Sequence, residues 1–343
     1  MPQSGWATRN SLIQISEEPK GHIMKIYLAP MEGITTYIFR NAFEKYYGGV
    51  DKYFTPFLTA SHLKGRELRD VHPDNNSVPE LVPQILTNDS ELFIKIAEQL
   101  AELGYREVNL NLGCPSGTVT GKGRGAGFLD RTNELDRFLY DIYDKLPEMS
   151  ISIKTRIGME FLSEWDDILE IYKKYPVSEL IIHPRLRNEF YSGEVHKESF
   201  FKACDVISKE TELCYNGDIT SRDSFEDISL QAEVFFQDRS QESLYMIGRG
   251  AFMKPHLPAM IKSGLDTDND LATFKAFITD IMEEYITEMS NEKQVVMKMK
   301  ELWTYFAMGL GLDRKQLKEI HKANRLNDYK SAVQMIISQS VSK

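Results

Sequence analysis

The chain has 343 residues, of which 42% are hydrophobic, and it carries a formal net charge of -10 at pH 7. This length suffices for one large domain of about 250 residues plus a smaller one. The acidic balance argues against a uniformly basic nucleic-acid protein, although it allows a local basic face. No stretch approaches the roughly 20 apolar residues of a membrane helix, so we expect no membrane association.

The three cysteines are unevenly spaced along the chain. This spacing makes neither a disulfide framework nor a zinc-ligand pattern, which predicts a reducing, cytoplasmic location and no metal. Cys204 and Cys214 lie in apolar patterns and are predicted to pack in the core. Cys114 follows a strand-like run and precedes Pro115 and a glycine-rich segment, residues 121–127, that we predict to be flexible. For Cys114 a reactive role and a small packing role both stay open.

The sequence divides into three predicted parts. Residues 1–23 are polar and aperiodic, and we expect an N-terminal extension, for which a native arm and an upstream mis-start or added segment both stay open. Residues 24–264 alternate strand-like and helical patterns. Residues 265–343 are helical by pattern alone and predict a small all-helical C-terminal domain.

Short β-branched runs recur along the second part, and helical patterns separate most of them. The predicted strands are residues 25–31, 52–59, 81–87, 107–114, 150–158, 179–185, 212–219 and 243–251. The clearest helix follows the third strand, and Asp89 or Ser90 caps its start. Strand–helix repeats require parallel pairing, so eight units predict a (β/α)8 TIM barrel. A doubly wound open sheet stays an alternative because no clear helix follows the second strand.

Polar residues occur late in each predicted strand. Because a parallel barrel opens the carboxyl ends of its strands on one face, we expect these residues to share one mouth. They are Gln84, Asn111, Cys114, Lys154, Arg156, His183, Arg185, Asn216, Asp218 and Arg249. After the last two strands, small residues at 216–219 and 247–250 offer backbone N–H groups where barrels bind phosphate; a pair of ordinary turns stays open.

The third part carries a local excess of basic residues. From Lys293 to Lys330 nine Lys or Arg residues stand against four Asp or Glu residues, a balance of +5 in an acidic chain. An excess of positive charge is expected where a protein binds the RNA backbone, but a helix face exposed to solvent explains this excess nearly as well.

The order of these segments resembles the tRNA-dihydrouridine synthase family over about residues 24–263. The segments that carry the resemblance are Ala29-Pro-Met-Glu-Gly33, Gln84, Asn111-Leu-Gly-Cys-Pro115, Lys154-Thr-Arg-Ile-Gly158, His183 with Arg185, Asn216-Gly-Asp218 and Gly248-Arg249. The resemblance implies an FMN-dependent enzyme that reduces the C5=C6 bond of specific uridines in tRNA. NADPH or NADH would be the reductant, and the helical C-terminal domain would bind tRNA.

The resemblance also implies residue roles. Pro30, Met31 and Glu32 would line the flavin ring, Gln84, Lys154 and His183 would contact its polar edge or ribityl chain, and Asn216, Gly217, Asp218, Gly248 and Arg249 would hold its phosphate. A hydride would pass from flavin N5 to uracil C6, while Cys114 donates a proton to C5, which suits a thiol of ordinary pKa. Asn111 would bind the uracil, and Arg156 and Arg185 would meet RNA phosphate or the base edge.

Two alternatives stay open. An FMN barrel of the dihydroorotate or dihydropyrimidine dehydrogenase kind would act on a free pyrimidine, but it would leave the basic helical region unexplained. A non-catalytic RNA-binding protein on a barrel scaffold would be colourless when purified. Nothing in the sequence predicts an obligate protein partner.

Overall fold

The computed structural model describes residues 24–265 and 270–341, so the predicted extension over residues 1–23 lies outside the described residues. Its strands are β1 Met24–Leu28, β2 Lys52–Phe54, β3 Leu81–Val82, β4 Gln84–Ile85, β5 Glu107–Leu112, β6 Ser150–Arg156, β7 Glu179–His183, β8 Glu212–Tyr215 and β9 Ser243–Ile247. All pairings are parallel, in the order β3-β2-β1-β9-β8-β7-β6-β5-β4.

The two ends of this sheet are halves of one barrel strand. Strand β3 pairs with β2, and β4 pairs with β5, while an isolated bridge joins Leu58 to Ile85. Pro83, which has no N–H group to donate to the ladder, separates the halves. Its carbonyl still accepts from the Asn109 N–H at 2.9 Å. Residues 81–85 therefore close eight parallel strands into a barrel, which confirms the TIM-barrel prediction and excludes the open sheet.

The observed strands end two to five residues before the predicted ones. The predicted runs extended into loops at the mouth, where polar side chains bind neighbouring loops instead of continuing the ladder. Cys114, Arg185, Asp218 and Arg249 accordingly lie in or beside loops and not within strands.

Helices surround the barrel and follow it. They are α1 Tyr37–Tyr46, α2 Gly65–Val71, α3 Ser90–Glu102, α4 Gly117–Thr120, α5 Thr132–Lys145, α6 Glu164–Tyr172, α7 Lys197–Val206, α8 Arg222–Arg239, α9 Arg249–Met253, α10 Leu257–Ser263, α11 Leu271–Glu288, α12 Glu292–Gly309, α13 Lys318–Lys322 and α14 Leu326–Val341. Helix α2 fills the second unit, and its seven residues are too few to show a clear periodic stripe. The Asp89 side chain caps α3, as predicted, by accepting from the Leu92 N–H. No helix of the described ranges is long and apolar enough to span a bilayer.

The C-terminal helices share a core with the barrel. The Phe277 ring of α11 lies 5.7 Å from the Phe39 ring and 5.2 Å from the Tyr47 ring. Helix α12 approaches α9 so closely that a Cβ on Gly309 would lie 1.6 Å from the Met253 carbonyl oxygen. Glycine is therefore required at this contact, which fixes α12 beside the helix that begins at Arg249.

The floor of the barrel, opposite the mouth, holds a buried ionic cluster. Lys52 Nζ lies 3.0 Å from Glu179, 3.2 Å from Glu107 and 3.4 Å from Glu80. Burial raises the pKa of Glu179 to about 7 despite the attraction of Lys52. One carboxylate oxygen each of Glu107 and Glu179 is buried with no hydrogen-bond partner among the described residues. The positive charge of Lys52 therefore offsets the repulsion among these clustered carboxylates.

Replacement of Lys52 tests this assignment. Lys52→Met should lower the free energy of unfolding by about 3–5 kcal/mol at pH 8, since removing one partner leaves buried charge uncompensated. The folded pKa of Glu179, about 7, exceeds the unfolded value of about 4.3, so folding takes up a proton and the penalty weakens as the pH falls through 7.

The measurement is urea denaturation of wild type and variant at pH 8 and pH 5.5. The loss should be smaller at pH 5.5, and Lys52→Met combined with Glu179→Gln should recover part of the stability at pH 8. An equal loss at both pH values would contradict the assignment.

Candidate active site

Two cavities open side by side at the carboxyl ends of the strands. One contains about 520 Å³ of empty space and the other about 950 Å³. Pro30, Met31, Lys154, His183 and Tyr191 line both, so the two cavities form a single cleft across the mouth of the barrel.

The cleft brings together all but two of the predicted site residues. Besides the shared residues, the smaller cavity is lined by Asn216, Asp218, Gly248 and Arg249, and the larger one by Glu32, Gln84, Asn111, Cys114 and Arg156. Gly217 and Arg185 lie behind this lining. A Cβ on Gly217 would be 2.7 Å from the Tyr215 hydroxyl oxygen, so Gly217 allows a close approach of that ring.

A chain of side-chain amides crosses the barrel interior towards Cys114. The N–H groups of Gly113 and Cys114 each donate to Asn111 Oδ1 at 3.0 Å. Asn111 Nδ2 donates to Gln84 Oε1 at 2.7 Å, and Gln84 Nε2 donates to Asn109 Oδ1 at 2.8 Å. Asn109 Nδ2 donates to Ser152 Oγ at 3.0 Å. The chain satisfies buried polar groups and fixes the backbone that carries Cys114.

The glycine-rich segment packs tightly against Cys114. Gly125 has φ +56°, and a Cβ there would lie 2.9 Å from the Cys114 carbonyl oxygen. The Ala126 N–H donates to the same carbonyl at 3.1 Å. The segment forms hydrogen-bonded turns, not the flexible loop predicted from the sequence, and its glycines serve close approach.

The Cys114 thiol is half-buried in the larger cavity. Burial raises the pKa of this thiol above its ordinary value, although a backbone N–H group and the Arg156 charge oppose the rise. Cys114 is therefore a neutral S–H group at pH 7, which suits a proton donor and disfavours a thiolate nucleophile. Cys204 and Cys214 are buried in the core, as predicted.

Lys154 is the exceptional charge of the cleft. Its ammonium has no hydrogen-bond or ion-pair partner among residues 24–265 and 270–341, yet it faces both cavities. Burial and, to a smaller extent, the nearby Arg156 charge together lower its pKa to about 8, so Lys154 remains mainly charged at pH 7. A half-buried ammonium without a counter-ion favours an anionic or electron-rich ligand. Burial and the surrounding cations hold the pKa of His183 well below its ordinary value, so this imidazole is neutral.

Asp218 binds two arginines at the end of the smaller cavity. Arg185 makes a bidentate pair with it at 2.8 and 2.6 Å, and Arg249 Nη2 lies 2.5 Å from Asp218 Oδ1. Burial alone would raise the pKa of Asp218, but the hydrogen bonds and positive charges of Arg185 and Arg249 together outweigh burial and lower the pKa. One carboxylate for two guanidinium groups leaves net positive charge.

The turns at residues 216–219 and 247–250 lie against each other. A Cβ on Gly250 would be 2.0 Å from the Ile219 carbonyl oxygen, so glycine is needed where these two turns meet.

Arg156 joins the loops around the larger cavity. Its guanidinium donates to the carbonyls of Gly113 at 3.0 Å, Leu186 at 2.8 Å and Phe190 at 2.8 Å. Arg185 likewise donates to the Gly193 carbonyl at 2.9 Å. Both arginines hold loops of the site in place, and their contacts with RNA stay a prediction.

The comparison with known families bears directly on this cleft. The family model described as Dihydrouridine synthase (Dus) matches residues 27–340. The chain belongs to the dihydrouridine synthase family. The match covers both the barrel, with its cleft, and the C-terminal helices.

Curated relatives of this dihydrouridine synthase agree. The protein named "Probable tRNA-dihydrouridine synthase 2" of Bacillus subtilis (strain 168) is 30% identical over 235 residues, which cover 66% of this chain and 69% of the relative. "Probable tRNA-dihydrouridine synthase" of Staphylococcus aureus (strain COL) is also 30% identical over 235 residues, with coverages of 66% and 68%. Among solved structures, the old yellow enzyme homologue of Zymomonas mobilis has a TM-score of 0.46 and 10% identity over 74% of this chain and 92% of its own.

Four residues that line the cleft of this synthase were not predicted from the sequence, because no motif or periodic pattern marks them. They are Phe57, Phe190, Tyr191 and Thr220. The Tyr191 ring lies 4.7 Å from the Arg249 guanidinium and 5.5 Å from that of Arg156, so it separates the two halves of the cleft.

Within the described ranges, no group of three or more His, Cys, Asp or Glu residues could hold a metal ion.

Alkylation tests the protonation of Cys114. The thiol should react slowly with iodoacetamide at pH 7.5, and the rate should keep rising above pH 9, because its folded pKa is raised and only the thiolate reacts. Cys114→Ala measures the background from Cys204 and Cys214. A rate that levels off below pH 8 would show a stabilised thiolate instead.

Proposed function

We propose that this family member, a flavin-dependent oxidoreductase of uridine in tRNA, uses FMN, takes its electrons from NADPH or NADH, and protonates uracil C5 with Cys114. The observation that carries the proposal is that Lys154, an unpaired cation, and Cys114, a neutral thiol, face the same cavity. A cofactor with an electron-rich ring and a substrate that needs a proton would each find the group they require.

The shape and charge of the cleft fit FMN. Its smaller cavity combines the net positive Arg185–Asp218–Arg249 cluster with the glycines at 248 and 250, which suits a phosphate group. Pro30, Met31 and Glu32 lie along both cavities or their edge, where a planar ring would rest. When bound, FMN would supply the hydride for uracil C6 after reduction by the nicotinamide.

The side chains of the chain itself have distinct roles in this proposal. Lys154 places positive charge next to the ring and stabilises negative charge there. His183, being neutral, offers a hydrogen bond without adding to the repulsion between the neighbouring cations. Asn111 has one amide hydrogen beyond its bond to Gln84, and this hydrogen can bind the uracil. Cys114 donates its proton to C5, and the amide chain keeps the thiol in position.

The C-terminal helices, predicted as a domain over residues 265–343, are proposed to hold the tRNA. A uridine inside folded RNA must leave its stack to enter the cleft, so the enzyme has to grip the RNA backbone. Lys315, Lys318, Lys322 and Arg325 are all exposed to solvent. Lys298 of α12 donates to the Gly33 carbonyl at 3.2 Å, which places the helical unit at the edge of the cleft.

The three cysteines form no disulfide bond with one another, which supports a cytoplasmic location for the protein.

Cys114→Ala separates the proton-transfer step from cofactor binding. The purified wild type should be yellow, release FMN on denaturation and form dihydrouridine in unmodified tRNA with NADPH. Cys114→Ala should retain FMN and NADPH oxidation, because the thiol only donates the proton, but form dihydrouridine about 10²–10⁴-fold more slowly.

The matched control is Cys204→Ala, a buried cysteine outside the cleft, which should keep normal turnover if it folds. Normal turnover by Cys114→Ala would assign the proton to another group. A wild-type protein that cannot bind added FMN would remove the flavin from the proposal.

A further inference from the structure

Two adjacent loops at the rim of the cleft each expose an aromatic side chain. One loop follows β6 (residues 157–163) and the other follows β7 (residues 184–196). The N–H groups of Arg187 and Asn188 donate to the carbonyls of Gly158 and Met159, at 2.9 and 3.2 Å, and hold the loops side by side. Phe161 on the first loop is 65% exposed, and Phe190 on the second is 45% exposed.

The loop of Phe161 has a fixed conformation. The Glu164 carboxylate accepts hydrogen bonds from the N–H groups of Met159 at 2.5 Å, Glu160 at 3.1 Å and Phe161 at 2.9 Å. A turn fixed by three such bonds leaves the Phe161 side chain 65% exposed to solvent. Leu162, Phe190 and Tyr191 are also exposed on these two loops, and exposed apolar side chains grouped beside a cleft are typical of a binding site.

The Phe190 ring is exposed at a cost in backbone strain. Phe190 has φ 51° and ψ -99°, a region that a bulky residue seldom adopts. Its carbonyl is held by Arg156, and the Arg187 guanidinium lies 5.3 Å from its ring centroid. Arg187 Nη2 also donates at 3.1 Å to the Oγ1 atom of Thr120, the last residue of the short helix α4 that follows Cys114. Strain of this kind persists where the surrounding structure enforces it, which is common at ligand contacts.

We propose that Phe161 and Phe190, with Arg187 beside them, form a stacking platform for nucleotides that flank the target uridine. The inference rests on the proposed function and adds a specific RNA contact to it. Phe190 also lines the larger cavity, so the platform continues directly into the site that would receive the uracil. Aromatic faces stack on any base, and a guanidinium between ring and RNA adds cation–π and phosphate attraction. Stacking here would offset the cost of unstacking the neighbours of the extruded base.

The platform predicts a dependence on the aromatic face and not on apolar volume alone. In the full-length, FMN-loaded protein, Phe161→Ala should weaken binding of an unmodified tRNA transcript by about 5- to 150-fold. Phe161→Trp should bind nearly as well as the wild type, whereas Phe161→Leu should resemble the alanine variant. Tyr140→Ala is the matched control, since Tyr140 is 63% exposed on α5 outside the described cleft lining.

Phe190→Gly gives an independent test of the same platform. Glycine accepts a positive φ without strain, so this variant should not lower the melting temperature while it weakens tRNA binding over a similar range. Binding is measured by fluorescence anisotropy, without turnover. Unchanged affinity in Phe161→Ala and Phe190→Gly, or full affinity in Phe161→Leu, would overturn the platform.

Binding and turnover together distinguish the two proposals. If the wild type forms dihydrouridine and the variants bind tRNA normally, only the platform fails. If the wild type binds tRNA through these rings but forms no dihydrouridine with FMN and NADPH, the proposed reaction fails and the platform stands.

Discussion

Closure of eight parallel strands places the carboxyl ends of all strands at one mouth and the amino ends at one floor. The closure depends on residues 81–85, which pair with β2 on one side and with β5 on the other across Pro83. Met31, Cys114, Lys154 and Arg249 are far apart in the sequence and meet in one cleft for this reason. The same geometry brings the first residues of several strands together at the floor, where Lys52 must balance Glu107 and Glu179.

The polar groups of the barrel interior are largely satisfied by one another. The amides from Asn111 to Ser152 form a continuous hydrogen-bonded chain, and Asp218 pairs with two arginines. Against this background Lys154 stands out, because its ammonium faces the cleft with no partner among the described residues. Partial burial lowers the stability of an unpaired cation, so a ligand that supplies negative charge would be favoured beside it. Cys114 beside it is kept neutral by burial.

The barrel and most of its site were predictable, because both depend on local patterns that a single chain displays. β-branched runs marked the strands, and polar residues late in those runs marked the mouth. The positions of Arg156 and Arg185 were predicted but their partners were not, since these are backbone carbonyls of loops such as Gly193 and Leu186. Phe190 and Tyr191 carry no periodic signal, and only the folded loop after β7 brings them to the rim. Glycines near Cys114 indicated flexibility by composition, whereas packing shows that Gly125 allows a close approach.

The most direct test of the central claim, that this cleft reduces uridine in tRNA, is a map of dihydrouridine in tRNA from cells with and without the protein. Cells that lack it should lose dihydrouridine at one or more defined positions and keep it elsewhere, and expression of the wild-type chain should restore those positions. An unchanged map in cells in which no second synthase covers the same positions would contradict the account.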